Sequence, residues 1–344
     1  MARDTDTILA TSHLSSEDYS SSTSESVLFA SNSTCILNPE GETGPYWVKG
    51  EHIRSNLTDG EPGVPVILDG QFVDVETCEP IVGLYWDIWN CNSTGVYSGL
   101  VATGNGNTAD ASNLNATFLR GVQKSDDDGV VQFITVFPGH YSGRTTHIHM
   151  VAHINATVLP NNTLTGGTVG HVGQIFWDQD LIDAVEATYP YNTNTVAITQ
   201  NADDRVFATE TATTSDPVIE YVMLGDDLSD GLFGKSRILR SVLPLVQMFG
   251  EWGFQLLRFP SKIHQNYTNS ESSAGWVTIA VNVSATYDPN YSYVYTASGG
   301  AASSGGTTTV DGGSGTGTMG GGNSTGNGTM PSGSAPSGAM PSQS

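Results

Sequence analysis

The sequence predicts an all-β protein, and three observations carry that prediction. Short apolar or alternating runs recur along the middle of the chain, at Val64–Leu68, Leu84–Trp89, Val130–Val136, His147–His153, Thr195–Ile198 and Ile219–Leu224. Gly, Asn, Asp and Pro separate these runs, which is the chemistry turns require. Within Cys35–Gly234, helical periodicity is nearly absent apart from a short stretch at Asp180–Ala187. Many short strands between turn signals make a sandwich or a barrel. Trp276–Tyr287 reads as the last strand, and the expected domain covers residues 32–296.

The flanks differ from this core. Met1–Ser31 is polar and Ser-rich, without the apolar stretch of a secretion signal, and reads as a disordered tail. Residues 297–344 are rich in Gly, Ser and Thr with one charge, Asp311, and read as a second disordered tail. Such a segment buries too little apolar surface to offset its ordering entropy. It carries no terminal hydrophobic stretch of the kind that directs lipid anchoring.

Charge excludes some partners. The chain has 12 Lys+Arg against 35 Asp+Glu, a formal net charge of −23. Nucleic acid and anionic membrane surfaces both call for clusters of Lys and Arg, so neither is an expected partner. No apolar run reaches the roughly 18 residues of a membrane-spanning helix. Eleven Asn-X-Ser/Thr sites (Asn32, Asn56, Asn92, Asn115, Asn155, Asn161, Asn266, Asn282, Asn290, Asn323 and Asn327) suggest a glycosylated, secreted chain. The missing signal is then expected upstream of Met1. Of the three cysteines, Cys78 and Cys91 flank a strand-like run and are the disulfide candidates, leaving Cys35 unpaired. The alternative is three buried thiols.

Residues 235–275 do not match their surroundings. They hold five of the twelve basic residues, namely Lys235, Arg237, Arg240, Arg258 and Lys262, and are net positive within an acidic chain. Ile238, Val242, Leu245 and Phe249 follow a helical period that Pro244 interrupts. One reading is an amphipathic surface helix. The other is a translated intron, because deleting the segment joins Gly-Leu-Phe-Gly234 to Trp276-Val-Thr-Ile-Ala-Val.

The chemistry concentrates in Phe137-Pro-Gly-His-Tyr141-Ser-Gly-Arg144-Thr-Thr-His147-Ile-His149-Met150. On a strand, His147 and His149 point to one face and can converge on one metal ion. His140 and His153 lack that local context and read as structural. Tyr141 precedes the pair after a Pro-Gly turn, and Tyr97 lies in Gly95-Val-Tyr97. Two phenolates and two imidazoles form a hard, anionic N/O set that favours ferric iron over zinc.

These residues, with their flanks, resemble the intradiol ring-cleavage dioxygenases, that is the catechol 1,2- and protocatechuate 3,4-dioxygenases, and most of all their secreted eukaryotic branch. The resemblance runs from about Thr34 to Tyr287, broken by residues 235–275. It rests on Glu42-Thr-Gly-Pro-Tyr46, Gly63-Val-Pro-Val, Cys78-Glu-Pro-Ile-Val-Gly, Asp87-Ile-Trp89, Gly95-Val-Tyr97, Asp127-Asp-Gly129, Phe133-Ile-Thr-Val-Phe-Pro-Gly and the Tyr141, His147 and His149 run, in family order. Gly173-Gln174-Ile-Phe-Trp, Pro190-Tyr191 and Asp204-Arg-Val-Phe continue it.

The resemblance implies a transthyretin-like β-sandwich holding one non-haem Fe(III) on Tyr97, Tyr141, His147 and His149. It implies that Tyr141 is displaced by the catechol, that Arg144 stabilises charge on the oxygenated ring, and that Gln174 lines the same pocket. It further implies a catecholic substrate and O2 as reactants and muconate-type diacids as products. Two departures stand out. No N-terminal helical dimerisation region is present, and Arg144-Thr-Thr replaces the usual Arg-Pro-Ala, which reshapes the pocket mouth. The competing expectation is a non-catalytic secreted or cell-surface β-sandwich, or a mis-spliced inactive product, with a vestigial metal site.

Overall fold

The computed structural model describes residues 4–17, 19–20, 22–29, 39–107, 109–212, 215–236, 275–289, 291, 293–296 and 299–303. Its elements, in order, are helices α1 (Thr5–Leu9) and α2 (Glu25–Leu28) and strands β1 (Val48–Lys49), β2 (Pro65–Asp74), β3 (Tyr85–Trp89), β4 (Arg120–Lys124), β5 (Val130–Val136), β6 (His147–Ile154), β7 (Thr157–Val158), β8 (Leu164–Thr165) and β9 (Thr168–Phe176). Helices α3 (Gln179–Glu186) and α4 (Arg205–Glu210) follow. The chain then returns to strand in β10 (Ile219–Met223), β11 (Leu232–Ser236), β12 (Gly275–Val281), β13 (Tyr293–Thr296) and β14 (Gly299–Ala302). The all-β expectation therefore holds for the described residues, among which no helix is long and apolar enough to cross a membrane.

Two sheets enclose the main core. One has the order β10-β11-β12-β2-β5 and the other β4-β3-β6-β9. Strand alternation explains how one sheet serves both core and site. Ile148, Met150, Ala152 and Ile154 of β6 enter the core beside Trp86 and Ile88 of β3 and Val66, Leu68 and Phe72 of β2. The intervening residues of β6, beginning with His147 and His149, are thereby turned to the opposite face. The β3–β6 and β6–β9 registers then place Trp89 and Gln174 on either side of His149.

Several expectations are corrected. The N-terminal 31 residues are not a disordered tail over their described part. Asp4 caps α1 by accepting from the Thr7 amide, and Ile8 is buried with Phe176, Val206, Phe207 and Val218. Leu14 bridges Tyr221 of β10, and Leu28 and Phe29 join a cluster with Ile67, Val130 and Val222. A few apolar anchors in a Ser-rich background suffice, and average composition conceals them.

Trp276–Tyr287 is not the last strand, since β13 and β14 follow β12 and form a sheet with β1. Residues 299–303, assigned to a disordered tail, include strand β14, and Gly300 is needed there as glycine. A Cβ on Gly300 would stand 1.7 Å from the Gly99 carbonyl oxygen. The rest of that tail, and most of 235–275, lies outside the described residues.

Thr195–Ile198 is irregular rather than a strand, with Val196 and Ile198 exposed and no partner strand beside them. The Asp180–Ala187 periodicity corresponds to α3. The Cys78–Cys91 pair does not form. Cys91 is a free, buried thiol whose Sγ lies 3.3 Å from the Gly139 carbonyl oxygen, whereas Cys78 is engaged in a disulfide. Cys91 lies two residues beyond β3, buried in a cluster with Tyr97 and Trp89. Cys35 lies outside the described residues.

Candidate metal centre and active site

All six residues selected from the sequence converge. Tyr97 is held through its backbone: its amide donates to Asn105 Oδ1 at 2.7 Å, and its carbonyl accepts from Asn105 and Asn113 side chains, each at 2.8 Å. Its ring is fully buried, 5.0 Å from Tyr46, 5.5 Å from Tyr141 and 5.9 Å from His149, with the Arg120 guanidinium 5.8 Å from its centroid. Among the described residues, Tyr97 Oη is buried without a hydrogen-bond partner of good geometry. Tyr141 keeps partial exposure, and its Oη lies 3.3 Å from His147 Nε2.

The imidazoles are set by their neighbours. His147 Nδ1 lies 2.6 Å from the Thr145 carbonyl, which can only accept, so Nδ1 carries the proton and Nε2 presents a lone pair. His149 stacks on Trp89 at 5.0 Å with the rings nearly parallel, and its Nε2 lies 3.0 Å from His147 Nε2. Gly44 explains the glycine of the Glu42-Thr-Gly-Pro motif. It takes a positive φ of 64°, and a Cβ there would approach His149 Cε1 at 3.1 Å. Burial, with Arg144 nearby, holds His147 and His149 well below the usual imidazole range, so both are neutral.

Arg144 is fixed on three sides. Its Nε donates to Asp204 Oδ2 at 2.8 Å, Nη2 donates to Gln174 Oε1 at 2.6 Å, and Nη1 reaches Tyr141 Oη at 3.4 Å. Gln174 in turn donates from Nε2 to the Glu42 carbonyl at 2.8 Å. Asp204 also accepts from the amides of Thr145, Val206 and Phe207, capping α4. Burial alone would raise the Asp204 carboxyl, but Arg144 and these donors outweigh it and leave it lowered and ionised. The sequence motif contained Asp204 without revealing this role, because its partner lies sixty positions away. Asn105, Asn113 and Arg120 carried no sequence signal.

The donor set fits a cation. Among the described residues no group of three or more His, Cys, Asp or Glu side chains is arranged for a metal. Here two neutral imidazoles meet two buried phenols. Burial pushes both phenols above their ordinary value, so a strong local positive charge is what would ionise them. His140 and His153 stand apart. His140 pairs with Glu186 at 2.7 Å, and His153 Nε2 lies 3.3 Å from Asp87.

Residues 43–159 match a protein-family model described as dioxygenase. An intradiol ring-cleavage dioxygenase from Tetranychus urticae is 27% identical, with a TM-score of 0.51 over 74% of this chain and 98% of that one. A second dioxygenase structure is 26% identical, with the same TM-score and coverage. A mercury-inhibited catechol 1,2-dioxygenase from Acinetobacter sp. ADP1 is 21% identical, with a TM-score of 0.36 over 58% of this chain and 61% of that one. No curated protein matches the chain. The match over residues 43–159 and the likeness to the mite enzyme make the chain similar to the intradiol ring-cleavage dioxygenases. The matched segment contains Tyr97, Tyr141, Arg144, His147 and His149.

Proposed function

We propose that this protein is a non-haem Fe(III) intradiol dioxygenase with a transthyretin-like β-sandwich core. It opens a catecholic ring between the two hydroxyl-bearing carbons, incorporating both atoms of O2 to give a muconate-type diacid. The observation that carries the proposal is the convergence of Tyr97 and Tyr141 with the imidazoles of His147 and His149 beside a fixed guanidinium. These four residues would hold the iron, which when bound supplies a Lewis acid that activates the catechol toward O2.

The chain's own groups divide the remaining work. Tyr97, fully buried and clamped by Asn105 and Asn113, would be a permanent ligand. Tyr141 keeps exposure and lies within reach of Arg144, so it can move aside and take a catechol proton at its Oη. Arg144, held by Asp204 and Gln174, faces the same oxygen and is already oriented to stabilise negative charge on an oxygenated ring. Trp89 and Tyr46 shield the site from water.

We further propose that the protein is secreted and glycosylated. Asn56, Asn115, Asn155 and Asn161 all sit in acceptor motifs with exposed side chains, which supports that reading. The first test is the visible spectrum of iron-loaded protein, before and after anaerobic catechol. A phenolate-to-iron band that shifts with catechol is expected, and His147→Ala should abolish it with loss of bound iron. A colourless loaded protein, or a His147→Ala variant with full iron and activity, would sink the assignment.

A further inference from the structure

Strands β11 and β12 meet the same two neighbours in the same register. On β2, β11 pairs in parallel as Leu232↔Val66, Phe233↔Ile67 and Gly234↔Leu68. On that strand β12 pairs in parallel as Gly275↔Leu68, then Thr278↔Gln71, Ile279↔Phe72, Ala280↔Val73 and Val281↔Asp74. Gly234 and Gly275 therefore oppose one residue, Leu68.

The other neighbour, β10, agrees independently. Met223 and Val222 pair with Leu232 and Phe233, and the next two residues, Tyr221 and Glu220, pair with Gly275 and Trp276. If the two glycines count as one position, no step is missing on either side. Past that position the chain forks, with Lys235 beside Trp276 and Ser236 beside Val277.

Face parity gives a third agreement. Leu232, Ile279 and Val281 all enter the main core. Their partners Val66, Phe72 and Asp74 lie an even number of steps apart on β2, as residues on one face of a strand must. The two pieces thus act as one strand, Leu232-Phe-Gly234 continuing into Trp276-Val-Thr-Ile-Ala-Val281.

We infer that residues 235–275 are an intron carried into translation, and that the functional chain joins Gly234 directly to Trp276. The genetic code permits the borders that splicing needs. Gly234-Lys235-Ser236 can be spelt G-GTAAGT, which contains a donor site after the first base of the Gly234 codon. Ala274-Gly275 can be spelt GCAG-GN, which contains an acceptor site ending after the first base of the Gly275 codon. Splicing there leaves G from one codon and GN from the other. Together they form a single GGN glycine codon, in frame, followed by Trp276. The codon junction merges the same two glycines that the sheet places opposite Leu68. The segment's basic composition, foreign to an acidic chain, fits this origin.

Two measurements test the inference, and neither involves ring cleavage, so failure here is separate from failure of the proposed chemistry. The first is sequencing mature transcripts across the junction. The second is thermal unfolding of the full chain, of a chain lacking residues 235–275, and of a chain lacking one residue more, 235–276. Most transcripts should read Gly-Trp. The 235–275 deletion should unfold roughly 5 °C above the full chain, because an insertion no longer has to be accommodated within a strand. The one-residue-longer deletion should fall roughly 5 °C or more below the 235–275 deletion, because the slip turns core residues outward. A majority of mature transcripts retaining the segment would overturn the inference. So would a 235–275 deletion that is less stable than the full chain or no more stable than its slipped counterpart.

Discussion

Arg144 illustrates how a single residue acquires function from distant support. A free arginine side chain samples many rotamers, and fixing one has an entropy cost. Here Asp204 takes Nε, Gln174 takes Nη2, and the remaining Nη1 is directed at Tyr141 Oη. Asp204→Asn should keep the iron ligands and lower kcat about 10- to 100-fold, because an incompletely oriented charge stabilises the reacting oxygen less well. The phenolate-to-iron band should persist with unchanged intensity, and that spectrum checks that the effect is on Arg144. Asparagine caps a helix about as well as aspartate, so α4 should keep its N-cap and the urea transition should move little. If kcat is unchanged, Asp204 does not position Arg144. Tyr141→Phe is the companion test: turnover should fall while part of the iron stays bound, since Tyr97, His147 and His149 remain.

The site was more legible than the strand endings at the scale of elements, and β6 shows why. His147 and His149 stand two apart in a strand, so period two alone puts them on one face. Local spacing also brought Tyr141 and Arg144 to the same end of β6. Asp204, Asn105 and Asn113 act across long loops, which no local pattern encodes. Glycine misled in a different way at β14. Composition reads residues 297–303 as flexible, yet Gly300 packs so closely on the Gly99 backbone that any side chain is excluded. Backbone cannot retreat as a side-chain tip can, so Gly300→Ala should cost about 1–3 kcal/mol. The expected readout is a lower urea midpoint together with faster proteolytic removal of the C-terminal segment. An unchanged midpoint would mean that β14 does not pack as described.

At the scale of the whole molecule, the N-terminal segment ties the two main sheets together. Ile8 packs on Phe176 of β9 and on Val218, just before β10. His13 lies 2.6 Å from Asp178 through Nδ1 and 3.1 Å from Asp216 through Nε2, while its amide also donates to Asp178 at 2.6 Å. Its carbonyl accepts from the Tyr221 amide at 2.9 Å, continuing the pairing beside β10. Burial alone would lower the imidazole, but the two carboxylates outweigh it and raise His13 to about 9. Asp178 and Asp216 are the carboxylates that face it.

A raised histidine contributes stability that is full below its unfolded value near 6.5 and is lost as pH rises through the folded value near 9. The protein should therefore be more heat-stable at pH 6 than at pH 10 by an increment that disappears in His13→Ala. In that variant Tm should drop by roughly 5 °C at pH 6 and much less at pH 10. The comparison uses the difference between the two proteins at each pH, which removes titrations they share. A drop equally large at both pH values would show that His13 contributes packing and not charge, and the N-terminal segment would then be held mainly by Ile8.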